Sequence, residues 1–230
     1  MIDLSERSSE REWMETEPVD APEFARCLGD LATVNRLTLA HGPTLRWLAR
    51  AVGPAKVFSV LDVGSGEGDM LRAIWRWAAQ QGKQVALEGI DLDPSSALAA
   101  EKQTPADMAI SYRTGDVFAY QPERRPNFII SSLVAHHMTD EQIVAFLRWM
   151  EATATRGWFV NDLHRSGFAY HGFKALAAIA RWHRFVRHDG PLSIARAFRR
   201  EEWERLLADA GLAADIKWEM PFRYCVGRVK

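Results

Sequence analysis

The sequence predicts an α/β fold in which a doubly wound, mainly parallel sheet is covered by helices on both faces. Three observations predict it. Apolar, β-branched runs alternate five times with segments of helical periodicity, the pattern of strand-helix-strand units. Acidic, glycine and histidine residues stand where those runs stop, and open α/β sheets bind ligands outside the carboxyl ends of their strands. The chain then ends on two more strand-like segments flanking Pro221, a closing hairpin that brings the strands to seven.

Taken in order, residues 57–63 (VFSVLDV) are apolar, β-branched and followed at once by glycines, as suits a buried parallel strand. Leu71, Ile74, Trp75 and Ala78 then recur at i, i+3, i+4 and i+7, one face of a helix. Residues 85–91 read as the second strand, with Asp93 and Pro94 as N-cap and first residue of the next helix. A weaker third strand is placed at 108–112 and a fourth at 127–132. Thr139 followed by Gln142 has the form of a capping box, and Ile143, Phe146, Leu147 and Met150 give that helix an apolar face. Residues 157–162 are the fifth strand. Trp203, Leu206, Leu207 and Ala210 repeat the helical spacing before Gly211, a C-cap glycine, and 213–220 and 222–229 make the hairpin. Residues 1–55 and 163–200 fall outside the alternation. They are assigned to an N-terminal helical strap and to a helical lid, set around the core at 56–162 and the last helix and hairpin at 201–230, where a substrate cover is naturally placed.

With 230 residues, 47% apolar and 26% charged, the chain can bury a core, and collagen-like, coiled-coil and wholly disordered readings drop out. A formal net charge of −1 gives no electrostatic reason to expect nucleic acid or an anionic membrane as partner. The longest aliphatic run, residues 175–180, is far short of the ~18 residues a spanning helix needs. The first residues lack a secretory pattern, and Cys27 and Cys225 alone cannot build a disulfide framework, so a cytoplasmic setting is expected and both thiols read as packing residues. The near-zero charge hides two blocks. Residues 1–20 hold seven acids against Arg7 and Arg11, whereas residues 181–200 hold six arginines, His183 and His188 against Asp189 alone. Such runs usually face water. The sharper reading is that the two blocks meet, or that the basic one attracts an anionic ligand.

The loop after the first strand is DVGSGEG (62–68), in which Gly64, Gly66 and Gly68 allow a tight turn and close approach of backbone to a ligand. Asp69 occupies the position of the third glycine of the dinucleotide pattern G-x-G-x-x-G, so that pattern is not met. Asp62, Glu67 and Asp69 would repel a pyrophosphate but suit a ligand bearing an ammonium and a sulfonium. At the end of the second strand, Asp91 can take both ribose hydroxyls. The same series continues with GIDLDP (89–94), GDV (115–117) and SSLVAHH (131–137).

In these four motifs, over about residues 57–162, the sequence resembles the class I S-adenosylmethionine-dependent methyltransferases. The resemblance implies a Rossmann-like fold with a C-terminal antiparallel hairpin, S-adenosylmethionine as methyl donor and S-adenosylhomocysteine as product. It implies that Asp62, Gly64, Ser65, Gly66 and Gly68 hold the methionine part of the cofactor, that Asp91 binds ribose and Leu92 packs on adenine. Asp116, beside Val117, would accept from the adenine amino group, and the segment containing Ser132 would lie at the cofactor's reactive end. Outside such a series Asp116 would read as a turn acid, Asp93 as an N-cap and Gly68 as a packing residue.

NDLHRS (161–166), RHDGPLSIARAF (187–198) and LATVNR (31–36) further resemble bacterial small-molecule methyltransferases of the ubiquinone and menaquinone type, a scaffold whose members methylate oxygen, carbon or nitrogen. His137, then His164 and His136, are candidate general bases, because they follow strands four and five and imidazole accepts protons near neutral pH. The plainer role for each is capping or shaping the pocket. In the lid, Phe168 and its aromatic neighbours Tyr170, Phe173, Trp182 and Phe185 offer apolar surface, and Arg187, His188 and Arg196 offer cations for a phenolate, carboxylate or quinone oxygen. Equally, those aromatics form only the lid's own core. Asn35 and Arg36 are candidates for the same cavity. No metal site is assigned, and the oligomeric state stays open between monomer and homodimer.

The expected function is therefore methyl transfer to a small phenolic, polyketide-derived or quinone-like acceptor, at oxygen before carbon or nitrogen. Methylation of RNA or protein is disfavoured by Ser-Ser-Leu-Val where an Asn/Asp-Pro-Pro-Tyr segment would act on planar amino nitrogens. A silent cofactor-binding module and a nicotinamide-dependent oxidoreductase are the remaining alternatives.

Overall fold

Seven strands form one sheet in the computed structural model, which describes residues 3–17, 23, 26, 27, 30, 33, 34 and 38–230. A short helix α1 (Trp13–Thr16) and α2 (His41–Val52) precede β1 (Val57–Val63), α3 (Asp69–Gln80), β2 (Gln84–Asp91), α4 (Pro94–Gln103) and β3 (Ile110–Thr114). Then follow β4 (Phe128–Ser132), a 3-10 turn (Ala135–His137), α5 (Asp140–Thr153), β5 (Gly157–Leu163), α6 (Gly167–Ile179), α7 (Arg184–Arg196), α8 (Arg200–Ala210), β6 (Asp215–Glu219) and β7 (Arg223–Val229). The strand order is β3-β2-β1-β4-β5-β7-β6, parallel except where β7 pairs antiparallel with β5 and β6. This is the expected doubly wound sheet with its closing hairpin. The order reverses between β1 and β4, and the carboxyl ends of these strands are where open α/β sheets form their ligand crevice.

Alternation along the strands builds the two layers. Phe58, Val60, Phe128 and Ile130 pack with Trp47, Leu48, Leu71 and Ile74 from α2 and α3 on one face. Leu61, Val63, Ile129 and Val160 pack with Ile143, Phe146, Leu147, Trp203 and Leu206 from α5 and α8 on the other. Each such fully buried side chain contributes about 1.5–3 kcal/mol relative to exposure. The expected caps are in place. Asp93 accepts from the Ser95 N–H, and the Thr139 hydroxyl and Gln142 side chain bond each other's backbone N–H groups. One strand moves: β3 lies two residues beyond its expected start, because it is a largely exposed edge strand and its register is set by pairing Leu87 with Ile110 and Asp91 with Thr114. Its exposed edge leaves little hydrophobic pattern to read.

Outside the sheet, α6 and α7 enclose a third core of Cys27, Ala177, Trp182, Phe185 and Val186, with Trp13, Met14 and Phe173 packed against it. Trp182, Phe185 and Phe173 thus serve the core of these helices. Both cysteines are buried, and burial pushes each thiol up to about 12. Among the described residues no helix is long and apolar enough to cross a membrane.

Candidate functional site

Three strand ends meet at the reversal point. After β1 the chain turns through Gly64, Gly66 and Gly68, all with φ between 51° and 76°, a region where L side chains are strained. At Gly64 a Cβ would also lie 2.2 Å from Val134, so this glycine lets the loop touch the segment after β4. At Gly66 a Cβ would meet nothing within 4 Å, which leaves that face of the loop open to a ligand. The Gly66 N–H instead donates to Asp91 Oδ2 at 2.8 Å, and the Asp93 N–H donates to Asp91 Oδ1 at 3.0 Å. The Asp91 carboxylate is therefore fixed in place with lone pairs to spare on both oxygens.

Asp62, at the end of β1, is buried, and its Oδ1 has no hydrogen-bond partner. Burial, with Asp69 and Asp91 nearby, pushes its carboxyl well above the ordinary aspartate range. Asp69 behaves oppositely. Burial pushes it up, but the His41 imidazole 3.0 Å away, the Met70 N–H and Arg72 outweigh this and hold it below its usual value.

After β4, Leu133 adopts φ 60° and donates its N–H to Asn161 O, and the 3-10 turn follows. His136 is buried, with Nδ1 2.7 Å from Asp162 Oδ1 and its backbone N–H 3.2 Å from Asp162 Oδ2. On its other side, His136 Nε2 lies 3.8 Å from Glu12 Oε1, and Glu12 also accepts from the Ser193 hydroxyl at 2.7 Å. Burial opposes charge on both members of the His136–Asp162 pair. Their mutual attraction outweighs it, so the imidazole is held above and the carboxyl below the ordinary value. Burial raises Glu12, opposed by His136, Ser193 and Arg196. Arg196, buried, donates to the carbonyls of His136, His137 and Glu10, and Arg7 donates to those of Met138 and Arg196. His137, by contrast, is exposed.

Comparison with known proteins joins this geometry to a family. Residues 31–215 match the family model described as a methyltransferase domain, well over half of the chain. The chain belongs to this methyltransferase-domain family. Among solved structures it is similar to the plantazolicin methyltransferase BpumL in complex with a monoazolic desmethylPZN analog and SAH, at 14% identity over 95% of this chain and 92% of that one, with a TM-score of 0.68. The plantazolicin methyltransferase BamL, in complex with a triazolic desmethylPZN analog and SAH, superposes with a TM-score of 0.66 at 12% identity over 91% of both chains. The magnesium protoporphyrin IX methyltransferase ChlM from Synechocystis PCC 6803 with bound SAM gives a TM-score of 0.54, 16% identity, and covers 84% of this chain and 79% of that one. At these identities the structures show the shared fold. Comparison with curated protein sequences finds no significant match.

In this methyltransferase domain the remaining expected residues are placed as follows. Ser65 is buried against Gly89, and Ser132 Oγ is buried without a partner. Leu92 is 73% exposed, Asp116 is exposed and accepts from the Phe118 N–H at 2.9 Å, and Val117 is buried. His164 is half-buried on the hairpin side, where Trp218 Nε1 donates to its Nδ1 at 3.2 Å; burial, then Arg199 and Arg165, holds it below the ordinary histidine value. Phe168 and Arg187 are exposed, and His188 stacks on Trp13 at 3.7 Å with Nδ1 on Asp189. Asn35 and Arg36 lie outside the described residues. The structure thus places the glycine loop, Asp62, Asp91, Ser132 and the turn carrying His136 and His137 at the same end of the sheet, whereas His164 and Phe168 lie by the hairpin ring of Phe222.

Three further residues of this site are not among the sequence candidates. Asp162 is a strand-end acid inside NDLHRS, two residues before His164. His41, on Asp69, and Glu12, on His136, left no signal, because tertiary contacts across distant segments carry no periodicity.

Proposed function

We propose that this chain transfers the methyl group of S-adenosylmethionine to a small phenolic, polyketide-derived or quinone-like acceptor, at oxygen. One observation carries the reading: at the sheet's reversal point an open glycine face, a fixed Asp91 carboxylate and the unpartnered Asp62 oxygen converge. The residues fit the cofactor. Asp62, buried beneath the loop, suits its ammonium, the open face of Gly66 suits close backbone approach, and Asp91, already oriented by two N–H donors, suits a ribose diol. Leu92 and Asp116, exposed at the same end of the sheet, are assigned to the adenine. The bound cofactor supplies an electrophilic methyl group on a sulfonium.

What the chain must add is position. Displacement at a methyl is in line, and holding acceptor and donor in near-attack geometry away from water supplies most of the acceleration. Ser132, Val134 and the 3-10 turn form the wall after β4, and the segment at 3–17 lies over that turn through Arg7 and Glu12. Deprotonation of a phenolic hydroxyl, whose ordinary pKa is ~10, falls to the groups of this turn.

The test is calorimetric. S-adenosylhomocysteine should bind the wild-type chain and NAD should not, and Asp91→Ala should weaken the former at least tenfold. Equal affinity in the variant would overturn the ribose assignment. No binding of S-adenosylhomocysteine at all would leave a cofactor-free scaffold.

A further inference from the structure

Glu12, His136 and His137 bring one ligand atom each to within 4.8 Å of one another, although Glu12 lies far from the histidines in sequence. We propose that these three side chains bind one divalent transition-metal ion, clipping the segment at 3–17 to the turn after β4. Bonds of about 2.0–2.2 Å from zinc to nitrogen or oxygen put two ligand atoms roughly 3–4 Å apart. The 3.8 Å from His136 Nε2 to Glu12 Oε1 already lies in that interval. The remaining contraction, roughly 1 Å, falls to rotation of the exposed His137.

The outer shell is also built. Metal-binding histidines nearly always give their other ring nitrogen to a carboxylate or carbonyl, which fixes the ring and raises its donor strength. His136 does so: Nδ1 faces Asp162 at 2.7 Å, which leaves Nε2 on the Glu12 side. Glu12 is held in turn by Ser193, and the backbone of the turn is held by Arg196 and Arg7 through its carbonyls. Those guanidiniums also oppose a cation, which weakens the expected affinity. Two imidazoles and one carboxylate favour borderline ions such as cobalt, zinc or iron(II) over magnesium or calcium.

Three protein ligands leave coordination positions open. The turn starts next to Val134, whose side chain lies against Gly64 of the glycine loop. An acceptor with a hydroxyl or a pair of adjacent oxygens could then occupy the open positions, and the ion, rather than a free imidazole, would lower that hydroxyl's proton affinity. This last clause rests on the methyltransferase reading; binding of the ion does not.

The experiment titrates the tag-free, chelator-treated 230-residue chain with Co²⁺, reading visible d–d absorption and heat, and measures S-adenosylhomocysteine binding on the same samples. The expected result is one Co²⁺ per chain, no binding of Mg²⁺ at the same concentration, and at least tenfold weaker Co²⁺ binding in Glu12→Gln and in His137→Ala. Asp162→Asn should weaken it about tenfold through His136. No Co²⁺ binding at millimolar concentration, or binding equal in wild type, Glu12→Gln and His137→Ala, would overturn the proposal, while intact S-adenosylhomocysteine binding in that case would leave the methyltransferase reading standing.

Discussion

At the scale of single residues the site is organised by carboxylates whose surroundings drive them in opposite directions. Asp69 keeps its charge through His41, whereas Asp62 sits buried with one oxygen unpartnered and its carboxyl pushed well above the ordinary range by burial, Asp69 and Asp91. A carboxyl held above its ordinary range at a place suited to a cation makes a specific prediction. The ammonium of S-adenosylhomocysteine in that place favours the ionised form, so a proton held by Asp62 is released on binding. Affinity should therefore rise with pH above the ordinary aspartate range and level off once Asp62 is already ionised in the free chain. Calorimetry in two buffers of different ionisation enthalpy would show net proton release on binding. Asp62→Asn should abolish that release, and a pH-independent affinity without proton release would remove Asp62 from the ammonium site.

At the scale of elements, α5 is the mount for the histidine turn, and its start is fixed by reciprocal bonds: Gln142 N–H to Thr139 Oγ1 at 3.3 Å and Thr139 N–H to Gln142 Oε1 at 2.9 Å. Thr139→Ala removes the first and leaves a helix N–H without its cap, a loss of about 0.5–2 kcal/mol. Urea unfolding should show a lower midpoint with unchanged slope; an unchanged midpoint would mean that water replaces the hydroxyl at no cost. Caps of this kind were readable in advance. Thr139 with Gln142, and Asp93 with Pro94, are local devices whose partners lie within three residues, as were the strand ends at Asp62 and Asp91. The edge strand β3 was misplaced by two residues because its side chains are mostly solvated and its register comes from β2. The Glu12–His136–Asp162 line was not readable at all, since it joins three segments that only the folded sheet brings together.

At the scale of the whole molecule, the near-zero net charge is a cancellation between two blocks that meet. The acidic segment runs along α7: Trp13 and Met14 give their N–H groups to Asp189 at 2.9 and 3.0 Å, Ser8 gives its own to Ala195 O at 3.0 Å, and Glu17 and Glu23 pair with Arg184. The segment is pinned to the core by Arg7, whose Nη1 lies 2.6 Å from Asp140 Oδ1. Burial raises Asp140, but Arg205 and Arg7 outweigh it and hold the carboxyl below its ordinary value of 3.8. A carboxyl depressed on folding contributes stability above the unfolded value, and that contribution is lost as pH falls through the folded one. Acid should therefore loosen the segment at 3–17, and Asp140→Asn should reproduce that loosening at pH 7. Hydrogen exchange should show faster exchange at Ser8, Trp13 and Met14 in this variant, with the sheet amides of β1 and β4 unchanged. Equal protection in wild type and Asp140→Asn would show that Asp189 and the Trp13–His188 stack hold the segment without Arg7, so that it is anchored at α7 rather than at the start of α5.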